Sequence, residues 1–181
     1  MSVKDLSGTY VLDPSHSTIG FSARHAMVTK VRGAFNNVAG TAVVDGGNPA
    51  ASTIEVTIQA DSFDTGQADR DGHVKSADFL DVANFPTLTF KATDIAITDD
   101  ETVRVTGDLT IKGVSHSVTI DLEYNGSAKD PFGNERVGFE GEADIRRSDW
   151  GLTWNAALET GGFLVSDKIE LKLDISAIKQ A

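Results

Sequence analysis

Val103-Arg-Val-Thr-Gly-Asp-Leu-Thr-Ile-Lys112 decides the fold class. Every second residue, Val103, Val105, Gly107, Leu109 and Ile111, is apolar or small, and the residues between them, Arg104, Thr106, Asp108, Thr110 and Lys112, are polar or charged. Successive side chains of a β-strand point to opposite faces, so this run predicts a strand with one dry and one wet face. The same period recurs on both sides of it. Val118, Ile120, Leu122 and Tyr124 alternate with Thr119, Asp121 and Glu123, and Ile54, Val56 and Ile58 with Glu55, Thr57 and Gln59. Val137, Phe139, Gly141, Ala143 and Ile145 form another such set, and Ile169, Leu171, Leu173 and Ile175 close the series.

Three stretches carry the pattern less cleanly. Ser17–Met27 places Ile19, Phe21, Ala23 and His25 on one face. Gly33–Val44 reads as one long strand whose phase blurs at Asn36-Asn37, which predicts a bulge or bend. In Thr87–Ile97, Leu88, Phe90 and Ala92 share a face before the apolar phase slips to Ile95 and Ile97, so a bulge is expected near Asp94. Turn residues punctuate the runs at Asp45–Pro49, Thr98–Glu101, Gly113–Ser115 and Lys129–Asn134. One segment reads as a helix, Arg70–Val82, capped by Asp69, with Val74, Ala77, Phe79 and Leu80 facing inward.

Eight or nine one-faced strands and one short helix fit a two-sheet sandwich or a closed barrel. Long strands and the removal of exposed edges favour the barrel. The expected fold is therefore all-β, one extended antiparallel barrel spanning residues 1–181 as a single domain. Its inward positions read as rich in Gly, Ala and Val with few bulky aromatics, which leaves room for an unfilled interior.

Composition narrows the function. The net charge of −11, from 27 acidic against 16 basic residues, would be repelled by a phosphate backbone or an anionic membrane, so nucleic acid is not an expected partner. Cysteine is absent, which excludes disulfides and thiolate chemistry. No stretch approaches the ~18 consecutive apolar residues of a membrane span, and the N-terminus shows no apolar leader core. A cytoplasmic location is the expectation that follows.

Catalytic signals are thin. His16, His25, His73 and His116 are dispersed without close metal-ligand spacing, so no metal is expected. Ser115-His116-Ser117 reads as part of a tight turn, and neither a Gly-x-Ser-x-Gly nor a phosphate-cradling glycine motif is present. The densest chemistry lies in Arg70-Asp-Gly-His73, followed by Phe79-Leu-Asp-Val-Ala-Asn-Phe-Pro86. It has two readings. Arg70 and His73 contact a polar headgroup at a barrel mouth lined by Phe79 and Phe85, or Arg70 and Asp71 are a helix-start ion pair and the phenylalanines are ordinary core. Trp150 and Trp154 read as packing anchors.

These blocks, taken in order, resemble the YceI-like family of polyisoprenoid-binding or lipid-binding proteins. The resemblance rests on Tyr10-Val-Leu-Asp-Pro-Ser-His16-Ser-Thr-Ile-Gly-Phe21 with His25, Val31-Arg-Gly-Ala-Phe35, Arg70-Asp-Gly-His73-Val-Lys-Ser-Ala-Asp-Phe79-Leu-Asp, Phe85-Pro-Thr-Leu-Thr-Phe90, Gly107-Asp-Leu-Thr-Ile-Lys-Gly-Val114 and Arg147-Ser-Asp-Trp-Gly151. It implies a lipocalin-like barrel with a long hydrophobic tunnel for isoprenoid chains, isoprenoid quinones or similar amphiphiles, in proteins that are often homodimers. The departures are the missing leader and Val74 where the family often shows leucine.

Together these readings predict a non-catalytic lipid carrier without cofactor. Ile19, Phe21, Phe35, Phe79 and Phe90 are expected as apolar lining, and His25, Arg70 and His73 as polar contacts near an opening. The alternative is an enzyme on an apolar substrate in the same cavity, with His25 or His73 as general base.

Overall fold

The alternating runs become eleven strands in the computed structural model, which describes residues 1–181. They are β1 (Ser7–Leu12), β2 (Thr18–His25), β3 (Thr29–Phe35), β4 (Val38–Asp45), β5 (Thr53–Gln59), β6 (Phe63–Asp64), β7 (Thr87–Ile97), β8 (Thr102–Ile111), β9 (Val114–Lys129), β10 (Glu135–Arg146) and β11 (Lys168–Lys179). All pairings are antiparallel, in the order β1-β4-β5-β7-β8-β9-β10-β11, and β11 returns to β1 through Tyr10↔Lys179, Val11↔Ile178 and Leu12↔Ala177. The ring is closed through this pairing, which removes most of the edge an open sheet would expose; the edge that remains runs along Thr29–Gly33 of β3, which only β2 pairs.

Three of the barrel's staves are broken. β11 pairs β1 along one half and β2 along the other, so β1 and β2 are successive parts of a single stave. In the same way β3 continues β4, and β6 continues β5. The barrel thus has eight staves. The breaks have local causes. Pro14 opens a one-turn 3-10 helix capped by Asp13, whose carboxylate accepts from the Ser15 N–H. Ala60–Ser62 forms another such turn. At Asn36-Asn37 the chain leaves the strand, so the expected long strand is two strands separated by a bend.

The bulge expected near Asp94 lies between Ala92 and Asp94. A second, which the alternation does not reveal, shifts register beside Gly138, where Gly126 and Tyr124 face Gly138 and Phe139. The β8–β9 connection is shorter than expected. Lys112 and Gly113, at φ 51° and 76°, form a two-residue turn, and Gly113 accommodates the left-handed conformation such hairpins require. Ser115, His116 and Ser117 therefore belong to β9, paired with Thr110, Leu109 and Asp108, and not to a turn.

The helix is also shorter. α1 spans Ala68–Lys75, capped by the Gln67 side chain and not by Asp69, and ends at Ser76. Phe79 and Leu80 are buried, but on the turns that follow the helix, and Ala77 is exposed. No helix is long and apolar enough to cross a membrane.

One end of the barrel is stoppered by the chain's first residues. Ser2 caps a 3-10 turn over Val3–Asp5, the Val3 N–H donates to the Asp100 carbonyl, and the Gly46 N–H donates to the Leu6 carbonyl. This ties residues 3–6 across the β4–β5 and β7–β8 connections. Val3 and Leu6 then pack with Tyr10, Tyr124 and Val137 as a tight apolar cluster. At Gly46 a side chain would lie 2.5 Å from the Lys4 carbonyl oxygen, so the seal needs a bare backbone there. Beyond the other end lie α1, residues 76–86 and the connection 147–167.

Candidate functional site

The inward faces of the staves do not meet. Between them runs a cavity of about 940 Å³ lined by 56 residues, 41 of them hydrophobic. Its hollowness shows in the wall itself: Ile19, Phe21, Phe35, Val56, Phe90, Leu173 and Ile175 point inward yet remain only partly buried. An apolar side chain that faces its own lumen without losing solvent contact marks space that the protein does not fill.

The wall departs from the sequence reading in one respect. Six of the nine phenylalanines, Phe21, Phe35, Phe63, Phe79, Phe90 and Phe139, line the cavity, so the lumen is not poor in bulky aromatics. It stays open because small residues take up the rings. At Gly33 a Cβ would meet the Phe21 ring at 2.6 Å, at Gly107 the Phe90 ring at 2.5 Å, and at Gly141 the Leu122 side chain at 2.7 Å. The rings recline into these recesses instead of projecting across the lumen. Phe21, Phe35 and Phe63 also pack on one another at centroid distances of 4.8–5.7 Å.

Exposed residues share the lining at the end away from the stopper: Arg24, His25, Thr29, Gln67, Asp69 and Arg70. They mark the mouth. All eight residues singled out from the sequence, Ile19, Phe21, His25, Phe35, Arg70, His73, Phe79 and Phe90, border the same cavity. Phe85 does not; it packs against the β8–β9 turn, 3.0 Å from where a Gly113 side chain would start.

The polar groups at the mouth are largely engaged with the protein. Arg70 donates to Thr65 through Nε at 2.7 Å and Nη2 at 3.2 Å, and Asp71 accepts from the Thr65 N–H. Both therefore fasten α1 to the end of β6 and do not form a helix-start ion pair. His73 Nε2 is 2.9 Å from the Asp78 carboxylate, and its ring stands edge-on to Phe79 and Trp154. His25 sits on the rim, bridged to Val165. His16 binds Asp13, and His116 lies outside against Trp150. The two tryptophans have different surroundings: Trp150 is buried and donates its indole N–H to the Leu109 carbonyl, whereas Trp154 borders the cavity.

Arg147 is the residue whose importance sequence reasoning missed. It is buried, without a carboxylate partner, and its guanidinium donates to four carbonyls: Ser166, Leu152, Trp154 and Val165, at 2.6–3.2 Å. It also lies 5.7 Å above the Phe79 ring. Burial lowers its pKa from the ordinary arginine value, but guanidinium remains charged at any physiological pH. The cation gathers residues 152–166 into the rim, and Asn155 reinforces it by pairing both ways with Val165. An isolated arginine in a sequence reads as surface, and the stalled alternation after Ile145, with the place of Arg147 in the block Arg147-Ser-Asp-Trp-Gly151, is the signal that marks this one.

Against this geometry stand the comparisons with known proteins. A YceI-like domain model matches residues 10–177. A UPF0312 protein of Ectopseudomonas mendocina is 35% identical over 177 residues, 97% of this chain and 90% of that protein. The crystal structure of Burkholderia cenocepacia BcnA superposes with a TM-score of 0.79 at 25% identity, covering 91% of this chain and 98% of that one. A polyisoprenoid binding domain from Saccharophagus degradans, implicated in plant cell wall breakdown, gives a TM-score of 0.73 over 94% and 98% of the two chains, and at 17% identity the likeness is one of fold.

Proposed function

The chain belongs to the YceI-like family, and from that premise we propose that it carries or sequesters a long apolar or amphiphilic molecule, of the class of polyisoprenoids or isoprenoid quinones, without transforming it. The observation that carries the reading is the apolar cavity of about 940 Å³ whose wall residues leave its centre empty. At ~30 Å³ per carbon-sized group, comparable to a water's share of the liquid, such a volume admits on the order of thirty groups. The name of the Saccharophagus domain supports the ligand class by analogy.

The energetics allow it. An apolar chain losing ~500 Å² of exposed surface gains about 12 kcal/mol, against an association cost of roughly 4–15 kcal/mol. Selectivity for length is shallow, since a methylene changes binding by about 0.8 kcal/mol. A histidine general base is the weaker reading, because the Nε2 of His73 is engaged by Asp78 and its ring is packed between Phe79 and Trp154.

Native mass spectrometry of the purified protein tests the reading. A bound lipid mass is expected, released by organic solvent. Ile175→Trp, which fills the lumen, should cut occupancy about tenfold, the equivalent of ~1.4 kcal/mol, while the fold persists. A protein that carries no lipid and takes up no polyprenol or quinone would remove the proposal. Turnover of lipid esters or quinones that His73→Ala abolishes would favour the enzyme instead.

A further inference from the structure

The protein's negative charge is unevenly spread. Between Pro14 and Val44 there is no aspartate or glutamate, while Arg24, Lys30 and Arg32 all fall there, in a chain of net charge −11. This stretch holds the β2–β3 hairpin and most of β4, and the three cations all lie on the hairpin. Lys30 is paired with Glu170, but Arg24 and Arg32 make no ion pair. The hairpin tip carries apolar residues into solvent: Met27 is 64% exposed and Val28 78%. Ala26 and Met27 hold left-handed backbone, at φ 49° and 65°, a conformation that non-glycine residues adopt only where their surroundings impose it.

A second loop lies against the tip. The Ala26 N–H donates to the Leu164 carbonyl at 2.7 Å, Met27 Sδ touches Gly162, and next to Gly162 stands Phe163, 62% exposed. Both loops run directly into the mouth, for Arg24, His25 and Thr29 on one side and Leu164 and Val165 on the other line the cavity. Glu159 is the single acid on the second loop between Ala157 and Gly162.

We propose that the tip of the β2–β3 hairpin, with Phe163 beside it, is a bilayer-docking surface that sets the cavity mouth against anionic lipid. Exposed apolar side chains flanked by free arginines match the layered chemistry of a membrane interface, apolar below and anionic above. Asp69 also stands at the mouth and Glu170 neutralises Lys30, so what meets the bilayer is the local excess of Arg24 and Arg32 on the acid-free hairpin, more distant charge being screened at physiological salt. The purpose of docking rests on the carrier reading: a mouth pressed to the bilayer admits a lipid chain without passage through water.

Co-flotation with vesicles tests the surface separately from the carriage. Wild type should bind vesicles of phosphatidylcholine with phosphatidylglycerol, less so phosphatidylcholine alone, and ~0.5 M salt should weaken the attachment. The double variant Met27→Ser with Val28→Ser, and separately Arg32→Glu, should each reduce vesicle binding about fivefold or more. Uptake of polyprenol from detergent should be unchanged, since none of these three residues lines the cavity. Wild type that ignores anionic vesicles, or a double variant that binds as well as wild type, overturns the proposal. So does a wild-type dimer that the double variant dissociates, with no vesicle binding by either, because the patch would then serve a second copy. Failure of lipid uptake with vesicle docking intact would fall on the carrier reading alone.

Discussion

Val3, Leu6, Tyr10, Tyr124 and Val137 bury one another at the stoppered end, whereas at the mouth the His73 ring stands edge-on to Phe79 and Trp154 on the border of the cavity. The stopper is aliphatic side chain packed on tyrosine ring, clasped by backbone hydrogen bonds, with the Tyr124 hydroxyl buried among them without a partner. The mouth is a set of loops held in shape by polar atoms, with one buried cation at their centre. Stability in the first comes from excluding water and in the second from satisfying carbonyls, so a rim can be rigid without being filled. Such a division lets the molecule keep a solid base while holding a hollow open above it.

The sharpest way to break the mouth is through Arg147. Arg147→Met keeps the volume and leaves four carbonyls without their donor, and a loss of about 3–5 kcal/mol in unfolding free energy is expected, with charge-assisted bonds costing ~1.5–3 kcal/mol each before relaxation. Urea denaturation measures the loss, and hydrogen exchange should show faster opening confined to residues 152–166. If that segment stays protected, the cation is not what shapes the rim.

A matched pair of truncations compares packing in the two ends. Leu6→Ala in the stopper, buried among its neighbours although it floors the cavity, should cost about 3 kcal/mol. Phe35→Ala, though a larger deletion, removes a ring that borders empty space, so its cost should fall below the ~3–5 kcal/mol of a packed phenylalanine. Its lipid occupancy should suffer more than that of Leu6→Ala. Equal ligand effects from both would mean that the floor of the cavity holds the cargo as firmly as its side wall.

The smallest effect concerns acid. On the outer wall towards the stopper, hydrogen bonds from Ser15, Arg136 and His16 hold Asp13 well below the carboxylate range, and those from Asn134 and Arg136 do the same for Asp130. Both bind protons less readily folded than unfolded, so their stabilisation is present above about pH 4 and is lost as pH falls through and below that value. The urea midpoint, followed from about pH 7 to about pH 3, should drop at the acid end, and Arg136→Met should flatten that drop. An unchanged acid slope in the variant would show that the clasp does not couple to folding.

Much of this architecture is legible in the residues because a strand with one wet face prints its period directly. The runs around Val103, Val137 and Ile169 map onto β8, β10 and β11 without correction. What alternation does not encode is where chain pairing changes partner. The break at Ala60–Ser62 leaves Phe63 in a two-residue strand too short to show a period, so a ring at the centre of the aromatic triad went unread. The helix expected over Arg70–Val82 exceeds the observed one because Leu80 and Phe79 carry the right apolar spacing, although the turns after Ser76 bury them. The rim roles of Arg147 and Val165, and the place of Trp154 on the cavity wall, are not legible because a rim built on side-chain-to-carbonyl bonds leaves no periodic trace.

The recesses at Gly33, Gly107 and Gly141 make the bore of the barrel a property of positions that need never touch the cargo. A single methyl at any one of them would meet a neighbouring strand's carbonyl oxygen within 3 Å as well as the ring or branched tip, so the wall itself would have to shift at that height. The girth available to a cargo is thereby locked to three backbone seats that admit no side chain, whatever residues face outward from the wall.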